Sequence, residues 1–226
     1  MRPRICVSII PKNNVQALGL IEKADEAQAD LIEVRLDHFD TSADLSEIAK
    51  STETPLIATN KLIIEHGFFP GNDNQRQLTL LNAAKNGFEY VDVDLSSLKH
   101  REAIEKLRIS GVKTIVSYHN FEGGLGVFEM GQILKQETAL EASVCKIVTT
   151  AKRIEDNLTV LNFVSTVPND VKIVCFCMGQ HGRISRILSP MFGAAFTFAS
   201  IDQRNETASG QLTIEEMKSA YNLLGV

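Results

Sequence analysis

Basic runs are missing from this 226-residue chain: no stretch of five or more lysines or arginines occurs, and the formal net charge is −5. That excludes the electrostatic footprint of a nucleic-acid-binding or polybasic membrane surface and leaves small-molecule chemistry as the default. Long hydrophobic runs are missing too. The apolar stretch of the opening MRPRICVSIIPK ends after six residues at Pro11, too short for a signal-peptide core or a membrane span, so a cytoplasmic protein is expected. Cysteine is sparse: Cys6, Cys145, Cys175 and Cys177 each sit in an apolar run and none forms a CxxC pair, which argues against a zinc site or a disulfide scaffold and for buried, reduced thiols. No Pro/Gly/Ser-rich linker, low-complexity segment or short repeat divides the chain, so one domain over residues 1–226 is expected. What is present, 44% apolar and 23% charged residues, is the ordinary composition of a folded globular protein.

Eight short β-rich runs recur along the chain: RICVSII (4–10), DLIEVRLD (30–37), PLIATN (55–60), YVDVDL (90–95), KTIVSYH (113–119), SVCKIVTT (143–150), KIVCFCMG (172–179) and AAFTFAS (194–200). Between them lie stretches with helical apolar spacing, at 15–29, 74–87, 100–111, 131–142 and 153–166. LTIEEMKSAYNLL closes the chain as a helix, with Thr213 and Glu216 at capping-box spacing. Strands alternating with helices predict a parallel sheet, because parallel neighbours need crossover connections. In a chain near the ~250 residues such folds commonly use, the economical closure is an α/β TIM barrel, (β/α)8, here a compact one. A doubly wound open sheet competes, but it carries a glycine-rich phosphate loop after its first strand, and IIPKNNVQ has no glycine.

In such a barrel the site lies at the C-terminal ends of the strands, so polar residues late in an apolar run carry the information. Those are Glu33, Arg35, Asp92, Asp94, His119, Lys146 and, after the seventh run, Arg186. Strand alternation puts Glu33 with Arg35, and Ser117 with His119, on one face. Several have a plain structural explanation as well. Glu33 and Arg35 can plug the barrel as an ion pair, as good an account as function. Asp92 and Asp94 can cap helices or meet basic neighbours, which outweighs a metal site shared with Glu33 and His119. The glycines of FEGGLG and GQHGR fit flexible loops better than a phosphate cradle. His38, His66, His100 and His181 carry no distinguishing context, whereas His119 ends a strand.

Lys146 is harder to explain structurally, because an ammonium in an apolar strand is costly unless it is paired or gives up its proton. Snorkelling to the surface is awkward from mid-strand in a barrel covered by helices. Among apolar neighbours its neutral amine would be favoured, as an imine-forming nucleophile requires. His119, one strand away, titrates near neutral pH and suits proton removal beside a protonated imine.

In order along the chain, LIEVRLD, IATNKLIIEHG, YVDVDL, SYHNFEGG, CKIVTTA, CMGQHGRISR, FGAAFTFAS and TASGQL resemble the type I 3-dehydroquinate dehydratases, the Schiff-base dehydratases of the shikimate pathway. The resemblance implies a (β/α)8 barrel, commonly a homodimer, that needs no metal or organic cofactor and acts on 3-dehydroquinate. It implies roles as well: Lys146 forms the imine, His119 is the general acid/base, and Glu65 is the carboxylate that orients that histidine. Glu33 and Arg35 match the EVR motif that meets substrate hydroxyls, and Arg186 matches the arginine that clamps the substrate carboxylate. Thr207 and Gln211 match the ends of a lid loop, with Thr207 where serine is usual, and Lys61 stands where the family carries arginine in T-x-R. Three other readings stay open on the residues alone. They are a class I aldolase with its lysine on the same strand, a metal-dependent sugar isomerase using Glu33, Asp94 and His119, and a non-catalytic barrel that binds a carboxylated ligand and regulates a partner.

Overall fold

Branched apolar residues dominate the short runs, and in the computed structural model, which describes residues 2–40, 42–97 and 99–226, all eight contain strands. They are β1 (Ile5–Ile9), β2 (Leu31–Arg35), β3 (Leu56–Thr59), β4 (Tyr90–Asp94), β5 (Lys113–His119), β6 (Val144–Thr150), β7 (Ile173–Met178) and β8 (Thr197–Ser200). Every ladder is parallel, in the order β7-β6-β5-β4-β3-β2-β1-β8. A 2.7 Å backbone hydrogen bond from Ala195 N to Ile173 O crosses the seam between the two ends of that order, so the sheet is a nearly closed barrel. The expected (β/α)8 TIM barrel is the fold observed.

The helices that follow the strands are α1 (Asn14–Glu26), α2 (Leu45–Lys50), α3 (Asp73–Lys85), α4 (His100–Ile109), α5 (Val127–Ala139), α6 (Asp156–Thr166), α7 (Arg183–Leu188) and α8 (Ile214–Leu224). Sequence periodicity misses α2 and α7, which at 6 residues each are too short to develop an apolar period. α6 starts at Asp156 rather than near 153, because Asp156 Oδ2 accepts hydrogen bonds from Lys152 N (2.8 Å) and Arg153 N (3.0 Å) and holds that approach as a turn. The capping box of α8 forms as spaced: Glu216 N donates to Thr213 Oγ1 (3.2 Å) and Thr213 N donates to Glu216 Oε2 (2.8 Å). Among the described residues no helix is long and apolar enough to cross a membrane.

Alternation along the strands then sorts the side chains. Outward-pointing Val7, Ile32, Val34, Ala58, Val91 and Val93 pack under the helices with Ile21, Ile48, Leu80 and Leu107. Inward-pointing Leu31, Ile57, Tyr90, Ile115, Val144 and Val174 fill the barrel floor. Full burial of such aliphatic side chains contributes about 1.5–3 kcal/mol each. Two residues further along the same inner faces, five of these six strands turn polar, so Glu33, Thr59, Asp92, Ser117 and Lys146 stand buried above an apolar floor.

Candidate active site

The inner faces open at the C-terminal mouth of the barrel into one recess whose lining includes Glu33, Arg35, Lys61, Glu65, His119, Lys146, Arg186, Thr207 and Gln211. The nine residues to which the family resemblance gives a role therefore line a single pocket, while the further candidates Asp92 and Asp94 reach it only through their bonds to Lys146, Lys61 and His119.

Lys146 lies at the bottom of it. Its Nζ donates to Asp92 Oδ2 at 2.9 Å, stands 3.7 Å from Glu33 Oε1, and sits 4.3 Å from the centroid of the Phe198 ring. Burial alone would strip its proton, but Asp92 first and Glu33 next hold the ammonium above its ordinary value. This corrects the neutral amine expected from the apolar residues of β6. Those residues flank Lys146 along the chain, whereas the facing strands bring carboxylates to it across the barrel. Asp92 is in turn fixed by Ser117 Oγ, 2.6 Å from its Oδ1. Burial would raise its pKa, yet Lys146 foremost, with Lys61 and His119 behind it, brings it down to about 2. Glu33 accepts from the hydroxyls of Ser8 and Thr59.

Above Lys146, three charged or titratable groups meet. Lys61 Nζ donates to Asp94 Oδ2 at 2.7 Å and stands 3.2 Å from His119 Nδ1, while Nδ1 lies 3.1 Å from the same Asp94 oxygen. Burial and the neighbouring Lys61 ammonium push His119 down to about 4, against the opposing pull of Asp94. Asp94 would be raised by burial, but Lys61 and then His119 hold it far below the usual carboxylate range. The imidazole is thus neutral at neutral pH and able to accept a proton.

Two expected pairings take another form. Arg35 does not pair with Glu33; its Nε and Nη2 clasp Asp37 at 2.8 and 2.7 Å, just past the end of β2. Glu65 spends its oxygens on Arg76 Nη1, 2.9 Å from each, and on Leu62 N at 3.2 Å, so the carboxylate that meets His119 Nδ1 is Asp94. Arg76, on α3, is 1% exposed and also binds Asp73 and Ser97, which ties α3 and the segment after β4 to the pocket wall.

Arg186, on α7, is 1% exposed, with its guanidinium carbon 4.4 Å from the Phe176 ring centroid. Its Nε has no hydrogen-bond partner, and among the described residues no carboxylate lies within ion-pairing distance. Burial pushes its pKa down to about 10. A buried guanidinium at a pocket wall has the planar donor fork that matches a carboxylate. Over the mouth, Gln211 Oε1 accepts from Thr207 N (2.7 Å) and Thr207 Oγ1 (3.0 Å). Gly179 N donates to Ser209 O at 2.9 Å, and a Cβ at Gly210 would lie 2.2 Å from Gly179 O, so this loop docks backbone to backbone on the end of β7.

Sequence reasoning passed over Ser8, Thr59, His66 and Phe121, which also line the recess, and Arg76 behind it. Thr59 and Ser8 carry a signal, since each sits two residues from another inward position. Arg76 has none, being one more arginine in a polar helix.

The barrel, with this pocket at the C-terminal mouth of its strands, defines a (β/α)8-barrel enzyme. The chain belongs to the type I 3-dehydroquinase family, whose sequence model matches residues 5–226. It is 36% identical over 219 residues to a 3-dehydroquinate dehydratase of Thermococcus onnurineus, covering 97% of this chain and 98% of that one. It is 31% identical to the bifunctional 3-dehydroquinate dehydratase/shikimate dehydrogenase of Arabidopsis thaliana, over 96% of this chain and 36% of the longer protein. Its fold matches a crystal structure of the type I 3-dehydroquinate dehydratase of Clostridium difficile with covalently modified comenic acid. The TM-score is 0.87 and the identity 26%, over 99% of this chain and 92% of that one.

Proposed function

We propose that this chain is a hydro-lyase that dehydrates 3-dehydroquinate to 3-dehydroshikimate through an imine on Lys146, as a step of the shikimate pathway toward aromatic amino acids. The observation that carries the mechanism is the buried Lys146 ammonium between Asp92 and Glu33, with the neutral imidazole of His119 in the same recess. Lys146 first gives one ammonium proton to the neutral His119, and its freed amine attacks the ketone; His119 returns that proton to the carbonyl oxygen and then carries a second from nitrogen, so that the oxygen leaves as water. Ammonium plus ketone thus become iminium plus water with no change in charge, so the carboxylates that stabilise the ammonium also stabilise the iminium. His119 removes a proton from the carbon next to the iminium and the electron pair forms an enamine. The hydroxyl beta to the iminium departs, taking the proton from His119 to leave as a second water. Hydrolysis of the conjugated imine releases product and restores Lys146.

Arg186 supplies a planar fork for the substrate carboxylate, and Glu33, Arg35 and Lys61 face its hydroxyls. Glu65 is the further carboxylate of the catalytic set, on the wall beside them, while Thr207 and Gln211 close the mouth. The chain works as one catalytic domain over residues 1–226, as a cytoplasmic homodimer, and without metal or organic cofactor.

The test is to incubate the protein with 3-dehydroquinate, follow the enone absorbance of the product, and add borohydride. A reduced adduct on Lys146 with loss of activity is expected. Turnover without any adduct, or an adduct on another lysine, overturns the imine mechanism, and cleavage of a carbon-carbon bond instead would mark an aldolase.

A further inference from the structure

We infer that Asp94, pinned by Lys61, is the positioning residue that fixes the tautomer and orientation of His119. The inference deepens the reading of His119 as the acid/base. Asp94 ends β4 and pairs in register with Ser117 of β5, so His119, two residues on, projects from the same face of the neighbouring strand. Among the described residues, four contacts of the Asp94 carboxylate serve to aim it. Oδ1 accepts from Ser96 N (3.0 Å) and Ser96 Oγ (2.8 Å), and Oδ2 accepts from Lys61 Nζ (2.7 Å) while facing His119 Nδ1 (3.1 Å).

Nδ1 has two neighbours that ask for opposite tautomers. Asp94 Oδ2 is an acceptor and calls for Nδ1–H; Lys61 Nζ, at 3.2 Å, is a donor and calls for a bare Nδ1. An ionised carboxylate with strong charge-assisted contacts is the better partner, and Lys61 already directs its shorter bond to that carboxylate. Nδ1 therefore carries the hydrogen, and Nε2 offers its lone pair, the form a base needs. Glu65 is not available for the task, since Arg76 and Leu62 N take its oxygens. The remaining ionisable groups around His119 are Lys146 from β6, Asp92 from β4, and Glu65 and His66 on the pocket wall after β3. Of these, Lys146 and Asp92 act on its charge at a distance, and none takes Nδ1.

The experiment is nitrogen-15 NMR of the substrate-free full chain labelled at histidine, with assignment by His119→Gln, alongside kinetics. In the parent protein, His119 should show a protonated Nδ1 and a bare Nε2 at neutral pH. Asp94→Asn should lose that bias and titrate at lower pH, because a group favouring the imidazolium has gone. It should also lower kcat about 10–100-fold with little change in KM. Glu65→Gln should leave both the tautomer and the His119 titration in place. A bare Nδ1 in the parent protein overturns the inference without any variant, so poor folding of Asp94→Asn does not shield it. A tautomer that follows Glu65→Gln and ignores Asp94→Asn overturns it too. The spectra need no substrate: a protein with the expected tautomer but no dehydratase activity would sink the proposed reaction and leave this assignment standing.

Discussion

Asp92 holds Lys146 from across the barrel: its Oδ2 lies 2.9 Å from Nζ while its Oδ1 accepts from Ser117 Oγ at 2.6 Å. One buried carboxylate thereby fixes the position of the lysine and sets its charge. Asp92→Asn keeps the shape and removes the charge that does most to raise Lys146. The variant should form the iminium less readily, losing about 1.5–3 kcal/mol of a charged hydrogen bond, or roughly 10–150-fold in kcat/KM. Its borohydride trapping should persist to lower pH than in the parent, because the lysine gives up its proton more easily. Unchanged kinetics and trapping would mean that Asp92 serves the fold alone.

His119, pushed down to about 4 by burial and by Lys61, gives a prediction with a definite sign. The base form persists down to that value, so kcat/KM should hold as pH falls below 6.5 and drop only as it passes about 4. Stability moves in the same direction. Between about 6.5 and 4 the unfolded chain binds this proton and the folded one does not, so acidification through that window destabilises the protein. His119→Gln should remove that contribution to the acid dependence and lower turnover by roughly 10²–10⁴-fold. A parent acid limb near 6.5 would contradict the buried, lysine-flanked imidazole.

Arg186 sets binding against stability. A guanidinium that is 1% exposed, with an unpaired Nε and, among the described residues, no carboxylate within ion-pairing distance, is a burden on the fold. Arg186→Met should raise Tm by about 2–4 °C for each kcal/mol so relieved, while raising KM and lowering kcat/KM by roughly 10–150-fold through loss of a charged hydrogen bond. Substrate or product should raise Tm in the parent and do so weakly in the variant. A variant with lower Tm and unchanged KM would make Arg186 a packing residue.

Much of this was legible in the sequence and some was not, for physical reasons. All eight strands could be read because branched residues and period-2 alternation are local signals, and Leu31/Glu33 or Val144/Lys146 mark the change from floor to pocket on a single face. Short α2 and α7 left no period to read. The charge on Lys146 was misjudged, because its neighbours along β6 are apolar while its neighbours in space, Asp92 and Glu33, lie 54 and 113 residues away in sequence. The same limit hid Arg76, whose partners Glu65 and Ser97 lie on other segments, and it hid Asp94 as the neighbour of His119, a place the resemblance gave to Glu65.

Arg76 itself should prove a strong determinant of stability. Arg76→Met leaves Glu65 buried without its cation, and removing one partner of a buried pair costs roughly 3–5 kcal/mol. Urea titration measures it. Adding Glu65→Gln should recover part of the loss, because the stranded charge is then gone. An additive double variant would show that the two residues do not support each other.

Lys61 has the most to reveal about how the histidine is tuned, since it is the largest charge holding His119 down and also the partner that aims Asp94. Lys61→Met removes both effects. Loss of the ammonium lets the His119 pKa rise from about 4 toward 6.5, so the acid limb of kcat/KM should move upward with it. Substrate binding should weaken as well, by about 1.5–3 kcal/mol if the ammonium also meets a substrate hydroxyl. Lys61→Arg keeps the charge, so it should keep the low acid limb and most of the activity. The backbone there is tight, with Lys61 O only 2.2 Å from where a Cβ at Gly67 would lie, so the longer fork must be absorbed by the side chain and not by the turn. Lys152 supplies the control. It lines a separate surface recess beside Gly123 and Asp156, and Lys152→Ala should match the parent in both kcat and KM. If Lys61→Met kept its acid limb near 4, burial alone would be holding His119 neutral, and the lysine would be serving only to pin Asp94.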